Sequence, residues 1–260
     1  RHPTHPSGWM ASWLTEEHSM DFKTVIVDRN DNIGTITLNR PEQFNTFSSE
    51  MARELNEALA ELDADEAVRV VIVKGAGKVF STGIDITEFP GKSPSEYHAW
   101  ISLMEKMHFT IAAMGKPVIA MAHKYAVANG AGLVFAADFA VITEETQIGT
   151  TAINVGLLCT GPIIPIADRL GKKKTMEMLL AGDMIDAREA LALGLVNKVV
   201  PEDRLEEETL ALARKLASKS PTAVRLGKEF CQKMQEMPYF RRFTYNAELF
   251  ARLCTTEDAR

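Results

Sequence analysis

Val70-Val71-Ile72-Val73 is an uninterrupted run of β-branched apolar residues that flows into Lys74-Gly75-Ala76-Gly77. A strand without alternation must be covered on both faces, and such strands belong to mostly parallel sheets flanked by helices. The flanking sequence agrees. Upstream, Ser48-Ser49-Glu50 caps a helix whose Met51, Leu55, Ala58, Leu59 and Leu62 fall at i, i+4, i+7, i+8 and i+11, one apolar face at helical period. Before it, Phe22 to Val27 and Ile33 to Leu38 read as a hairpin around the turn formers Asp28 to Asn32.

Downstream, a helix is predicted from Pro94 to Met114, then a strand from Pro117 to Met121. Tyr125 leads into the turn Asn129-Gly130-Ala131-Gly132, the apolar helix Leu133 to Ala137 and a strand from Asp138 to Ile142. Strand and helix alternating in this way is the signature of α/β crossover units. Beyond Gly161 the segments 162–170, 172–181, 186–193, 202–218 and 221–252 read as helices. The chain thus divides into an extension over 1–20, an α/β core over 21–200 and a helical region over 201–260. Residues 1–20 are expected to be loosely held, with Met10 or Met20 the natural start.

Composition narrows the function. The 260 residues carry 29 Lys+Arg against 35 Asp+Glu, a net charge of −6, which excludes a generally basic nucleic-acid binder. No apolar run approaches the roughly 20 residues of a membrane-spanning helix, and the chain reads as a cytoplasmic protein without a membrane partner. Cys159, Cys231 and Cys254 form no CxxC, and the six histidines form no HExxH, so no metal site is expected.

Two glycine-containing turns carry the chemistry. Gly83 permits a sharp turn that leaves the Ile84 N–H free, and Gly130 lies beside the Asn129 N–H, which gains the positive end of the following helix. If the two donors converge they make an oxyanion hole; if they do not, these are ordinary tight turns.

The order of the blocks is informative. Leu38-Asn39-Arg40-Pro41 precedes a capped helix; Val71 to Asp85 follows, then Lys116-Pro117-Val118-Ile119-Ala120. Arg169-Leu170-Gly171, Leu179-Leu180-Ala181-Gly182 and Ala190 to Pro201 come later. This series resembles the crotonase (enoyl-CoA hydratase/isomerase) superfamily from about Met20 to Arg260. The resemblance implies a ββα spiral with a helical C-terminal trimerisation region, assembled as a homotrimer or dimer of trimers. It also implies an acyl-CoA thioester as substrate, with no cofactor beyond its CoA moiety, and the N–H groups of Ile84 and Asn129 as the oxyanion hole. Gly83, Asp85, Ile86, Thr87 and Gly130, with Phe44 and Thr46, would then line the site that receives the CoA thioester.

The chain departs from the family pattern where protons move. Ala128-Asn129-Gly130 replaces a run of three glycines, and Gly132 and Ala152 stand where hydratases carry their acid and base glutamates. Candidate replacements are Cys159 and Thr160, where relatives place other reactive groups, and His108, which shares a helix face with Glu105 three residues earlier. The blander readings are a buried inert thiol and a packed or solvated pair. Asp85 is expected to fix its turn, and Lys172-Lys173-Lys174 to be a solvated charge run. An acyl-CoA enzyme using enolate chemistry without paired glutamates, such as decarboxylation of a malonyl-type thioester, is the leading expectation. A catalytically silent acyl-CoA-binding or scaffold protein is its rival.

Overall fold

A computed structural model describes residues 22–259, so the reading of residues 1–20 lies outside the described residues. Strands β1 (Val25–Asn30) and β2 (Ile33–Leu38) pair antiparallel. Their turn is tighter than the sequence suggests: only Asp31 and Asn32 lie outside the strands, at φ of 50° and 65°. Two consecutive left-handed residues match the right-handed twist of a hairpin, and Asp and Asn tolerate that backbone.

Helix α1 (Ser49–Ala64) begins at Ser48, whose hydroxyl accepts the Met51 N–H at 3.1 Å. Then come β3 (Val70–Gly75), α2 (Pro94–Ala113), β4 (Val118–Ala122), β5 (Tyr125–Val127) and α3 (Asn129–Ala136). The next segment holds β6 (Phe139–Thr143), β7 (Gln147–Gly149), α4 (Thr160–Ala181), β8 (Met184–Asp186), α5 (Ala187–Ala192) and β9 (Lys198–Val200). Helices α6 (Leu205–Ala217), α7 (Pro221–Lys233) and α8 (Tyr239–Leu253) complete the chain.

The larger sheet has the order β1-β2-β3-β4-β6-β9 and is parallel from β2 onward; β5-β7-β8 form a smaller one. The units β4-β5-α3 and β6-β7-α4 each place one strand in each sheet before a helix, the ββα spiral. Single-residue parallel bridges, Phe47 to Ile84 and Ser81 to Ala126, continue this second layer into the first two units.

The β3 run is covered as its composition demands. Val71 and Val73 join a core with Leu55, Leu59 and Met104 of α1 and α2, while Val70 and Ile72 join a second core with Leu205 and Ala213 of α6. A buried ion pair between Lys228 and Asp138 (2.7 Å) fastens α7 to the end of the sheet, and Lys228 also donates to the Lys116 carbonyl.

Two boundaries differ from the expectation and a third agrees with it. The span 221–252 is two helices because Pro238 cannot continue the first. Asn129 to Gly132 is the first turn of α3, not a turn before it. Helix α4 is interrupted at Gly171 (φ 70°, ψ 165°), the point that separates 162–170 from 172–181.

Candidate active site

One side of the site is organised by Asn45, which is fully buried at φ 53°. Its Nδ2 donates toward the carbonyls of Ala76, Val79 and Phe80 at 2.8, 2.9 and 3.1 Å, while Oδ1 accepts the Arg40 N–H at 2.9 Å. Ser81 Oγ in turn donates to the Asn45 carbonyl at 2.8 Å. These bonds fix the strand end from which Gly83 turns at φ 101°.

The Gly83 carbonyl accepts from the Phe47 N–H and the Asp85 N–H donates to the Phe47 carbonyl. Alternation along an extended segment therefore aims the Ile84 N–H the other way. It has no acceptor among the described residues. A β-carbon on Gly83 would lie 2.7 Å from Ala128 Cβ, so this loop abuts the second wall directly.

That wall is the start of α3. Ala128 sits at φ 49°, ψ −116°, a backbone that L residues rarely hold, and is pinned by its N–H to the Gly149 carbonyl (2.8 Å) and its carbonyl to the Gly132 N–H (2.9 Å). The kink leaves the Asn129 N–H at the positive end of α3 with no acceptor among the described residues. Gly130 is needed for a reason the sequence reading did not give. Its backbone is helical, but a β-carbon would stand 2.4 Å from the Ser81 carbonyl oxygen. The conformational burden expected of Gly130 falls on Ala128.

The flanking side chains have structural partners. Arg40 donates to Asp85 Oδ2 (2.9 Å), the Thr46 carbonyl (2.6 Å) and Thr46 Oγ1 (3.3 Å), tying the loop before α1 to the loop after β3. Asp85 accepts from the Thr87 N–H (3.1 Å) and hydroxyl (2.7 Å). Burial pushes the Asp85 carboxyl upward, but the bonds from Thr87 and Arg40 outweigh it and hold the group below the usual range. Phe44 and Ile86 are exposed on the same two loops. The Asn129 side chain is buried and donates to the Met104 carbonyl at 3.1 Å, joining α3 to α2. Arg40, Asn45 and Ser81 received no role from the sequence; the signal available was a polar residue inside each loop.

Of the candidate proton carriers, Thr160 is exposed at the start of α4 and Cys159 is buried. Burial pushes the Cys159 thiol up, a bond from the Ala152 N–H pulls it back and the Glu105 carboxylate raises it again, so it is a thiol at neutral pH. Glu105 and His108 are packed between α2, α3 and α4. His108 Nδ1 lies 3.0 Å from the Glu105 carbonyl oxygen, toward which its N–H is directed, and 3.0 Å from Glu105 Oε2. His108 Nε2 is buried with no hydrogen-bond partner among the described residues. In the lysine run, Lys174 is paired with Glu177 and Glu189, each at 2.6 Å. A groove of about 760 Å³ between the end of α2 and α7 is lined by neither Ile84 nor Asn129.

No helix among the described residues is long and apolar enough to cross a membrane, and no cluster of three metal-binding side chains occurs among them. The enoyl-CoA hydratase/isomerase family model matches residues 28–260. A probable enoyl-CoA hydratase of Rhizobium meliloti is 35% identical over 240 residues, 92% of this chain and 93% of that one. The mitochondrial enoyl-CoA hydratase domain-containing protein 3 of Homo sapiens is 38% identical over 200 residues, 76% of this chain and 66% of that one. Among solved structures, an enoyl-CoA hydratase of Mycobacterium smegmatis superposes with a TM-score of 0.88 at 33% identity, over 91% of this chain and 93% of that one.

The strain at Ala128 yields a stability test. Glycine adopts φ 49°, ψ −116° without a β-carbon clash, so Ala128→Gly should stabilise the fold by about 1 kcal/mol, the relief of strain less the added freedom of the unfolded chain. Urea unfolding measures it; a lower midpoint for the glycine variant would refute the strain.

Proposed function

Because this chain belongs to the enoyl-CoA hydratase/isomerase (crotonase) family, we propose that its cleft binds an acyl-CoA thioester and holds the negative charge of the thioester enolate on the Ile84 and Asn129 N–H groups. The observation that carries this reading is the pair of acceptor-free backbone donors on abutting loops, one of them at a helix N-terminus. Each preorganised donor of this kind is typically worth about 10²–10³ in rate, and its effect needs no particular side chain. The thioester oxygen sits between the two donors, and Phe44 and Ile86 offer exposed apolar surface beside the loops for the rest of CoA.

Gly132 and Ala152 offer no ionisable group, so the reaction in this reading is enolate chemistry and not a hydration driven by two glutamates. Decarboxylation of a malonyl-type thioester is one such reaction, because loss of CO₂ itself generates the enolate. Crotonyl-CoA hydration, followed by the loss of its conjugated absorbance, should run at least about 10²-fold below the ~10³ per second of the fastest ordinary enzymes. A turnover at that upper level would require an acid and a base at other positions and overturn the reading.

The oxyanion hole is tested by contrast. Gly130→Val drives a side chain into the Ser81 carbonyl and should weaken binding of a CoA-enolate mimic at least about 100-fold in protein that retains its circular dichroism. Asn129→Ala keeps the N–H and loses only the bond to Met104, so its effect should stay within about fivefold. The reverse order would make the Asn129 amide the working group.

Assembly belongs to the same reading. Val155, Leu158 and Ile164 around the start of α4, and Tyr239, Phe240, Phe243 and Phe250 on α8, are exposed apolar side chains that a homotrimer or dimer of trimers would cover, in a cytoplasmic protein. Sedimentation velocity at micromolar concentration should show trimers or hexamers; a monomer would refute the assembly.

A further inference from the structure

His108 and Glu105 occupy space that two glycines leave open. A β-carbon on Gly132 would stand 2.9 Å from His108 Nε2, and one on Gly161 would stand 2.1 Å from Glu105 Oε2. The ring nitrogen facing Gly132 is buried with no hydrogen-bond partner among the described residues. A native core that only needed filling would place an apolar side chain here, because a buried polar atom left unpaired is destabilising and calls for a partner.

The tautomer follows from the other nitrogen. With the Nδ1 proton directed to the Glu105 carbonyl 3.0 Å away, Nε2 carries the lone pair, and Glu105 Oε2, 3.0 Å from Nδ1, is placed to stabilise the imidazolium once Nε2 is protonated. Gly132 lies three residues after Asn129 on α3, less than one helical turn, or roughly 5 Å, from the acceptor-free N–H. The imidazole nitrogen beside Gly132 therefore lies against the same turn of α3 that presents the Asn129 N–H.

We propose that His108 is the acid–base residue of the acyl-CoA site described above, moving the proton at the α-carbon of the thioester, with Glu105 its positioning residue. The inference rests on the acyl-CoA reading. His108 Nε2 takes the proton from Cα, the C–H electron pair becomes the enolate double bond, and the carbonyl electrons move onto the oxygen held by Ile84 and Asn129. The imidazolium then returns the proton to Cα, or to Cγ when the acyl group has a β,γ double bond. The substrates are thioesters with an α-hydrogen, and β,γ-unsaturated acyl groups are favoured because the double bond further acidifies Cα.

But-3-enoyl-CoA in deuterium oxide separates the two levels of the argument. Calorimetry reports binding, and mass spectrometry reports deuterium at Cα together with any but-2-enoyl-CoA formed. The wild-type protein should bind the thioester and incorporate deuterium. His108→Gln should bind within about threefold of wild type and exchange at least about 100-fold more slowly, the ordinary contribution of one general base. Glu105→Gln should lower the exchange rate at saturation about tenfold and leave the half-saturating concentration unchanged. If His108→Gln loses the parental circular dichroism, His108→Asn carries the same expectation. No binding by wild type overturns the acyl-CoA reading and the role of His108 with it. Binding without exchange, or exchange unaffected by the His108 substitution, overturns His108 alone.

Discussion

The contact between Gly130 and the Ser81 carbonyl is the constraint on which the rest of the site depends. At 2.4 Å from a hypothetical β-carbon, the two backbones meet at a distance only glycine allows. Ser81 belongs to the loop after β3 and Gly130 to the first turn of α3, so this approach packs the loop that carries the Ile84 N–H against the helix start that carries the Asn129 N–H. The Val127 N–H to Ser81 carbonyl bond (3.0 Å) and the Ala128 N–H to Gly149 carbonyl bond (2.8 Å) hold the approach from either side. In the proposed oxyanion hole the donors are peptide N–H groups on pinned backbone, which would need no reorganisation when charge develops.

Around that contact the polar residues divide the work. Asn45 replaces a missing layer of sheet hydrogen bonds by satisfying carbonyls at the end of β3, and Arg40 bridges two loops through Asp85 and Thr46. Each of these side chains is bonded to backbone or to a neighbouring loop, which makes them supports for the backbone donors. Asn129 combines both duties, since its N–H is open while its side chain anchors α2 through Met104. The same bond helps fix the position of α2, the helix that carries His108.

Much of this was legible in the residues because it follows from periodicity and from glycine. The Val70 to Val73 run foretold a doubly covered strand, and the α/β order of elements followed from helical spacing in α1 and the β-branched segments after it. Gly83 was readable as a turn because a left-handed φ, here 101°, is a local demand that glycine meets. Gly130 was recognised for the wrong reason: steric approach between segments 49 residues apart leaves no local mark. The strands β5, β7, β8 and β9, three residues each, are too short to show alternation and exist because the sheets recruit them. A pair such as Glu105 and His108 looks the same in sequence whether its helix face meets solvent or a core, and the neighbours that decide it, Gly132 and Gly161, lie on other helices.

Those two glycines bear on the proposal that proton transfer does not use paired glutamates. A β-carbon at position 132 would stand 2.9 Å from His108 Nε2, so a side chain there would oblige the imidazole to shift. Gly161 stands in the same relation to the Glu105 carboxylate. Glycine at 132 therefore leaves the imidazole in its present position undisturbed. A buried nitrogen left unpaired beside Gly132 is destabilising, and an apolar replacement would be more stable. In the proposed reading the proton-handling group stands on α2 and not on α3, and the backbone half of the site is independent of a change in its side-chain half.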